Sequence, residues 1–398
     1  MFLELHILQN FAPANLNRDD TGSPKDCEFG GYRRARVSSQ SWKRAIRQSF
    51  QDELKPGQRG FRTKRIVEEC CKAMTTSFST ETDEALKASK RAAVVALALE
   101  VCELSVDDKG QNPYLLFVGQ SEVKALAELC DRHAEAIWTA AEARPKKKAA
   151  DKGKVSGDAT LAEEPKKKKL DLKPEVVKDL KSWLSKGRGA VDVALFGRML
   201  ANIPEQNVEA ASQVAHAIST NKLSAEFDYY TAVDDLKPDD TDGAGMIGTV
   251  GFNSACFYRY LNLDFEQLKR NLGGDANVAK EAAQAWATAA IHSIPTGKQN
   301  SMAAQNPPFF VLAVVRRKGL WSLANAFIEP VRPSREADLA TGSVNALAAY
   351  WEQLATMYGA DGLAISTSSL LDAKLTTKLG KPTSVAQLIE QSTSALVS

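Results

Sequence analysis

A cluster of cationic side chains between residues 32 and 48 contains no acidic residue. Its members are Arg33, Arg34, Arg36, Lys43, Arg44 and Arg47. Ser38 or Ser39 can cap a helix that begins here, and the free N–H groups and dipole of a helix start attract an anion. At spacings of i, i+3 and i+7 one stripe of that helix carries Gln40, Lys43 and Arg47. The segment is predicted to bind phosphate, and an ordinary solvated amphipathic helix is the alternative.

The elements around this cluster are predicted from periodicity. Met1 to Leu8 alternates apolar and polar residues as a strand does, and a loop rich in Asn, Asp, Gly and Pro follows from Asn10 to Gly31. Gly30 and Gly31 are predicted to allow either a positive φ or a close approach of the main chain to a phosphate. Trp42 and Ile46 give the basic helix an apolar stripe beside its polar one, and this stripe should pack on the core.

Composition limits the class of protein. The 398 residues are 44% hydrophobic and 25% charged, and the net charge is only +2, so any nucleic-acid surface must be local. Six cysteines form no CxxC pair and only four histidines are present, so neither a disulfide nor a metal site is predicted. The sequence has no apolar run long enough for a membrane span and no signal-peptide pattern, and a cytoplasmic protein with no membrane partner is expected.

The middle of the chain changes character twice. Residues 59 to 143 are predicted to be largely helical, including Ala92 to Leu104 and Glu122 to Ala143. Residues 144 to 170 form a low-complexity segment with two lysine runs, which predicts a mobile loop. The lysines are Lys146, Lys147, Lys148, Lys166, Lys167, Lys168 and Lys169. They form either a solvated loop or a surface that attracts a polyanion.

The second half predicts an α+β fold. After a helix over Pro174 to Lys186, alternation around residues 191–195 and 208–214 suggests two extended arms, although the alanine content also allows a helix. The next elements are strands at Phe252 to Asp264 and Pro308 to Arg317, with helices near Phe265 to Leu272 and Val278 to Ile291 between them. This order is compatible with a ferredoxin-like sheet with helices on one side.

Several strings in this order and spacing carry a family resemblance. They are LNRDD, FGGYRRARVSSQSWKRA, ALFGRM, QVAHAIST, YYTAVDDL, ACFYRY, NLGG and GKQN. With them the chain resembles the CasC family, the repeated backbone subunit of the type I-E CRISPR surveillance complex Cascade. The resemblance extends from about residue 6 to about residue 360 and is weakest in the middle third and at the C-terminal tail.

The resemblance implies a modified RNA-recognition-motif palm with a helical fingers insertion and a β-hairpin thumb. The implied boundaries are 1–58 and 231–398 for the palm, 59–186 for the fingers and 187–230 for the thumb. The sequence lacks the RNP1 string, so bases are not expected to stack on aromatic residues of the sheet.

The resemblance also implies binding residues. Those expected to line a guide-RNA channel are Arg18, Lys25, Ser38, Gln40, Lys43, Arg47, Lys298 and Gln299. Those expected beside a displaced nucleotide are Met199, Tyr230 and Thr231. Without the resemblance, Tyr229 and Tyr230 would be read as core residues, and Arg36 could instead pair with Asp19 or Asp20. In CasC relatives, lysines of the helical insertion contact target DNA, so the resemblance implies the same contact for the lysines of the 144–170 loop, although this part of the chain is poorly alike.

The function implied is a scaffold without catalysis or cofactor. Its partners would be the crRNA, target DNA, further copies of the chain arranged head to tail and the other Cascade subunits. The alternative is a metal-dependent ribonuclease of the type III kind that uses Asp19 and Asp20. Adjacent side chains diverge in an extended chain, and no nearby histidine offers a proton, so the scaffold is favoured.

Overall fold

The computed structural model describes residues 1–55, 57–143, 172–186, 189–232, 246–359, 362–371, 379–380 and 382–398. The chain divides into two compact units. The first unit comprises Met1–Lys55, Ala194–Gly197 and Glu209–Ser398. The second comprises Pro56–Val193 and Arg198–Val208. The lysines predicted at residues 146–148 and 166–169, and the mobility predicted for their loop, lie outside the described residues.

Both units combine strands and helices. The strands are, in chain order, β1 (Phe2–Ala14), β2 (Asp26–Phe29), β3 (Tyr32–Val37), β4 (Gly60–Thr63), β5 (Leu116–Gly119), β6 (Ser212–Val214), β7 (Ala217–Ser219), β8 (Glu226–Ala232), β9 (Met246–Asp264), β10 (Phe310–Arg316) and β11 (Gly362–Ser369). The helices are α1 (Ser39–Glu53), α2 (Ile66–Ala73), α3 (Glu84–Val101), α4 (Gln120–Arg132), α5 (Ala134–Glu142), α6 (Pro174–Lys181), α7 (Trp183–Lys186), α8 (Val191–Phe196), α9 (Phe265–Asn271), α10 (Ala276–His292), α11 (Gln299–Met302), α12 (Leu339–Tyr358) and α13 (Val385–Ala395).

The first unit is built on one antiparallel sheet. Its strand order is β11-β10-β1-β9-β7-β3-β2, and β6 and β8 also pair with β9. Along the chain β1 is followed by α1, and β9 is followed by α10 and then β10. The strands β10-β1-β9-β7 therefore come fourth, first, third and second along the chain. A helix follows the first and the third of them, as in a ferredoxin-like fold. The predicted α+β class and palm are confirmed.

Both faces of this sheet are covered. On one face, α1 and α10 contact each other, and Arg259 of β9 lies buried between the Trp42 ring at 3.7 Å and the Ala290 carbonyl. On the other face, α12 packs on a cluster that includes Tyr258 and Tyr260. Tyr258 and Tyr260 are buried, so these two rings are not available to stacked bases.

The segment after Gly189 corrects one prediction. Residues 191–195 were predicted as an extended arm, but Val191–Phe196 form the helix α8 and all six side chains are buried. Alternating valines cannot distinguish a strand from a short helix that is buried on every side, and the alanine content had left a helix open. The predicted second arm contains a real strand, β6, but its partner is β9, with Ser212 opposite Leu263.

The second unit is mainly helical, as predicted for residues 59–143. The helix predicted over Glu122 to Ala143 is two helices that meet at His133, and an unpredicted antiparallel pair, β4 and β5, lies beside them. The core of this unit includes the buried thiols of Cys70 and Cys130 on α2 and α4. In the part of the chain that the structure describes, no helix has the length and apolar character needed to cross a membrane.

The buried histidine of β1 predicts acid sensitivity. His6 is fully buried beside Tyr258, whose hydroxyl lies 2.9 Å from Nδ1, and burial lowers the His6 pKa to about 3. The unfolded chain takes up this proton near pH 6.5 and the folded chain does not. The free energy of unfolding is therefore expected to fall by about 1.4 kcal/mol per pH unit as the pH drops from 6.5 toward 3.

This slope is measured by denaturant unfolding at several pH values for the parent and for His6→Asn, whose amide oxygen can accept the Tyr258 hydroxyl without titrating. Buried Glu4, paired with Arg316 at 2.6 Å, has a raised pKa and gives a slope of opposite sign in both proteins. The difference between the two proteins thus isolates His6. Equal slopes in both would contradict the assignment.

Candidate nucleic-acid interface

The basic helix α1 begins as predicted. Ser38 is its N-cap, and the Ser38 hydroxyl accepts a hydrogen bond from the Ser41 N–H at 3.3 Å. The Ser38 N–H donates to Asn17 Oδ1 at 2.9 Å, which joins the cap to the loop after β1. The first turn contains no acidic residue, so the helix dipole presents an unopposed positive end.

A neutral histidine completes the helix start. The Ser39 N–H donates to His216 Nδ1 at 3.0 Å, so this nitrogen carries no proton. Burial lowers the pKa of His216, and the charges of Arg36 and Lys25 lower it further. The same two cations add to the positive potential around the start of α1. Lys25, predicted to bind RNA, is half-buried in this group.

Asp19 organises the loop that precedes α1. Its Oδ1 accepts hydrogen bonds from the Thr21 N–H at 2.9 Å, the Thr21 hydroxyl at 2.7 Å and the Ser23 N–H at 2.9 Å. These bonds, the Thr21 hydroxyl first, hold the pKa of Asp19 below its usual value. Arg36 donates instead to the Asp26 carbonyl at 3.1 Å, so the alternative that it pairs with Asp19 or Asp20 is wrong.

An open cleft of about 450 Å³ lies between this loop and α1. The loop contributes residues 16–20 and Gly22, α1 contributes Ser41, Arg44, Ala45 and Gln48, and a third wall is formed by Pro295, Thr296 and Gly297. A side chain at Gly297 would collide with the Leu16 carbonyl, so glycine allows the third wall to approach. The charged side chains that line the cleft are the cations Arg18 and Arg44 and the anions Asp19 and Asp20. The two arginines are suited to a phosphate, and the two carboxylates oppose one.

The residues of α1 that the sequence predicted to bind RNA lie on a stripe beside the one that lines the cleft. Of these residues Gln40 is exposed, whereas Lys43 and Arg47 are half-buried and engaged in contacts, and none of them lines the cleft. The cleft is lined by Ser41, Arg44 and Gln48, which have the same i, i+3, i+7 spacing one residue further on. Arg44 was therefore visible in the basic cluster, but only the packing of α1 shows which stripe faces the cleft.

Gln299 supports its own loop. Its amide nitrogen donates to the carbonyls of Pro295 at 3.1 Å and Ala304 at 3.2 Å, and its oxygen accepts from Gln305 at 3.1 Å. Lys298 has a left-handed φ of 52° just before the single turn α11. The side chain of Gln299 is thus occupied in holding the loop that carries Lys298, which is half-buried.

The glycine turn between β2 and β3 serves packing. Gly30 and Gly31 have φ values of 63° and 80°, as one predicted alternative required. A Cβ on Gly30 would collide with the Ile328 carbonyl, whereas Gly31 has open space around it. The atom that closely approaches Gly30 is therefore a protein carbonyl.

Tyr230 and Thr231 lie on an exposed two-stranded ribbon. Every residue of β8 is exposed, and β8 pairs with the first part of β9, where Tyr229 faces Thr249 and Thr231 faces Ile247. Tyr229 is 63% exposed and Tyr230 is 39% exposed, so the alternative that they belong to the core is wrong. Phe227 (67%) and Ile247 (61%) add further exposed apolar area to the ribbon.

Met199 lies in the second unit and is 84% exposed. Arg198, the preceding residue, forms a buried ion pair with Glu122 at 2.8 Å and exchanges two backbone hydrogen bonds of 2.9 Å with Val208. The Leu200 N–H donates to Asn207 Oδ1 at 2.6 Å. Because both neighbours are fixed, the methionine side chain is held out in solvent on a rigid loop.

No group of histidine, cysteine, aspartate or glutamate side chains within the described ranges is arranged to hold a metal ion. The predicted RNA-binding residues of the first unit fall into three groups. Arg18, Lys25, Ser38 and the residues of α1 lie in or beside the loop after β1, Lys298 and Gln299 follow the third wall of the cleft, and Tyr230 and Thr231 lie on the ribbon.

Comparisons with known proteins agree over almost the whole chain. The model of a family described as CT1975-like protein matches residues 3–391. A chain of a structure described as a CRISPR RNA-guided surveillance complex, pre-nicking, is 30% identical, covers 99% of this chain and 100% of its own, and has a TM-score of 0.80. A chain of a second structure, described as a CRISPR RNA-guided surveillance complex, is 26% identical with the same coverage and a TM-score of 0.71. Curated protein sequences give no match.

Proposed function

The chain belongs to the family of CT1975-like proteins, and from this premise we propose that it is the crRNA-binding backbone subunit of a type I-E CRISPR surveillance complex. The observation that carries the proposal is the full-length similarity, at 30% identity, to a chain of an RNA-guided surveillance complex. The resemblance to CasC is confirmed by the same comparisons. The following features support the finer parts of the proposal.

The first feature is the concentration of positive charge around α1. Net charge is +2, yet the helix start and the adjoining cleft contain Arg18, Lys25, Arg36 and Arg44. Cationic side chains and backbone N–H groups at a helix start hold phosphates and read no base edge. The protein would therefore keep crRNA of any spacer sequence. Sequence recognition of target DNA is left to pairing by the guide bases, as in other RNA-guided systems.

The second feature is the exposed ribbon of β8 and β9. Phe227, Tyr229 and Ile247 share one of its faces. Phe227 and Tyr229 are two residues apart on β8, and Ile247 on β9 faces Thr231, which is two residues beyond Tyr229. Such a surface fits a partner, and we propose that the partner is the next copy of the chain. A head-to-tail contact repeats without closing and builds a helical filament along the crRNA. Other Cascade subunits would end the filament.

The third feature bears on catalysis. The type III ribonuclease alternative requires Asp19 or Asp20 to bind a metal ion, but Asp19 Oδ1 already accepts three hydrogen bonds within its loop. We propose that the chain is a scaffold, with both aspartates serving the loop.

The proposal is tested with the chain expressed beside its operon neighbours and two crRNAs of unrelated spacer sequence. Both crRNAs should be retained equally, and both should remain intact when the complex is incubated with Mg²⁺, as gel electrophoresis of the extracted RNA would show. A strong preference for one spacer would contradict binding through the backbone. Cleavage that Asp19→Ala abolishes would contradict the scaffold.

A further inference from the structure

A second basic segment lies in the second unit. Arg59, Arg62, Lys64 and Arg65 fall within seven residues, and the chain from residue 56 to residue 67 contains no acidic residue. Arg65 pairs with Glu68, which also pairs with Lys72. Arg62 is exposed, and no carboxylate among the described residues forms an ion pair with it. Its charge is thus available to an outside partner.

The guanidinium of Arg62 lies over an aromatic ring. Arg62 on β4 stands opposite Phe117 on β5, and its guanidinium carbon lies 5.0 Å from the centre of the Phe117 ring. The Phe117 ring is buried and also packs against Val193 and Val208. Stacking on an aromatic face orients an arginine and leaves the N–H groups along its edge free for a planar or tetrahedral anion.

The same phenylalanine connects Arg62 to the loop of Met199. The Phe117 carbonyl accepts a hydrogen bond from Arg198 Nη1 at 3.3 Å, and Arg198 immediately precedes Met199. Val208, which packs on the Phe117 ring, exchanges backbone hydrogen bonds with Arg198. One rigid framework therefore carries an exposed apolar tip and an oriented cation. A nucleotide presents the matching pair, an apolar base face and a phosphate.

We infer that Arg62 binds a backbone phosphate of the guide RNA next to the nucleotide that is expected beside Met199. The inference rests on the proposed function, which supplies the RNA, but the residue and its role follow from the framework around Phe117. Arg62 would add a phosphate contact in the second unit to those expected around α1 in the first. The choice of RNA over DNA follows from the shared framework with Met199.

The test compares two arginines of the same segment in the full-length chain. Arg62→Met keeps an apolar cover on Phe117 and removes the charge, and Arg62→Lys keeps the charge without the planar group. Arg65→Ala is the matched control, because its guanidinium is already paired with Glu68. Binding of labelled single-stranded RNA, and of DNA of the same sequence, is followed by fluorescence anisotropy over a range of salt concentrations.

Arg62→Met is expected to weaken RNA binding about tenfold and to lower the slope of log Kd against log salt by about 0.7, the value for one phosphate on a single strand. Arg62→Lys should keep the slope with intermediate affinity, and Arg65→Ala should change neither quantity. Unchanged binding by Arg62→Met, equal losses in Arg62→Met and Arg65→Ala, or a loss confined to DNA would each overturn the inference.

The failure of this inference differs from the failure of the proposed function. If the parent binds RNA and loses it when α1 is altered, but Arg62→Met has no effect, only the role of Arg62 is wrong. If the parent binds no RNA, the proposed function fails and the inference fails with it. Thermal unfolding of each variant verifies that the loss does not come from misfolding.

Discussion

Replacing Lys43, Arg44 and Arg47 of α1 with alanine is expected to remove most of the crRNA from the purified complex. Arg44 lines the cleft beside the helix start, and the other two charges lie on the adjacent stripe. The lost phosphate contact of Arg44 should lower the slope of log Kd against log salt by at least about 0.7, and the lost positive potential of the other two side chains adds to this effect. Binding should weaken by at least about tenfold. Alanine favours the helix, so α1 should persist.

The measurement is the RNA content of the complex and the salt dependence of RNA binding by the isolated chain. The matched control removes three cations elsewhere in the first unit, Lys269, Arg270 and Arg335. Lys269 is paired with Glu266 at 2.8 Å and Arg270 donates to Gln267 at 2.6 Å. Surface pairs of this kind contribute little to stability, so α9 should tolerate the change. Equal RNA loss in both triple variants would show that net charge matters rather than the cleft.

Replacing Phe227, Tyr229 and Ile247 with serine is expected to abolish assembly while leaving the fold intact. Each side chain is more than half exposed, so its loss should change the free energy of unfolding only slightly. In a head-to-tail filament the same apolar face would be buried at every junction, and the loss would be repeated along the RNA. Single copies bound to RNA should replace the multi-copy particle.

Light scattering coupled to size exclusion gives the number of copies for the parent and the variant. A control with serine at Leu86, Leu115 and Leu320 removes exposed apolar groups outside the ribbon. This control should still assemble. A ribbon variant that forms the parent particle would contradict the proposed contact between copies.

Periodicity and turn chemistry were enough to predict much of the fold. Each of these elements is predicted from residues that are close together in the sequence: the alternation of β1, the serine cap of α1 and the strands β9 and β10. All four were confirmed. The helix α8 could not be predicted in this way. Its six residues are buried on every side, so no polar face shows the helical period.

The sequence predicted which segment carries the candidate site but not which of its side chains face the cleft. The basic cluster and its helix start follow from residue types, whereas the choice between the stripes of Lys43 and Arg44 depends on how α1 packs. The hydrogen bonds that occupy Gln299 connect residues brought together by a folded loop. The contact between Arg62 and the Phe117 ring could not be predicted, because the two residues are distant in sequence and meet only across the β4–β5 pair.

In the proposed assembly, copies of this chain place their basic helix starts along one RNA. The most direct measurement is the native mass, together with the ratio of absorbance at the RNA and protein maxima, of the chain purified with its operon neighbours. We expect a particle that contains several copies of the chain and bound RNA. A single chain free of RNA would contradict the proposed assembly.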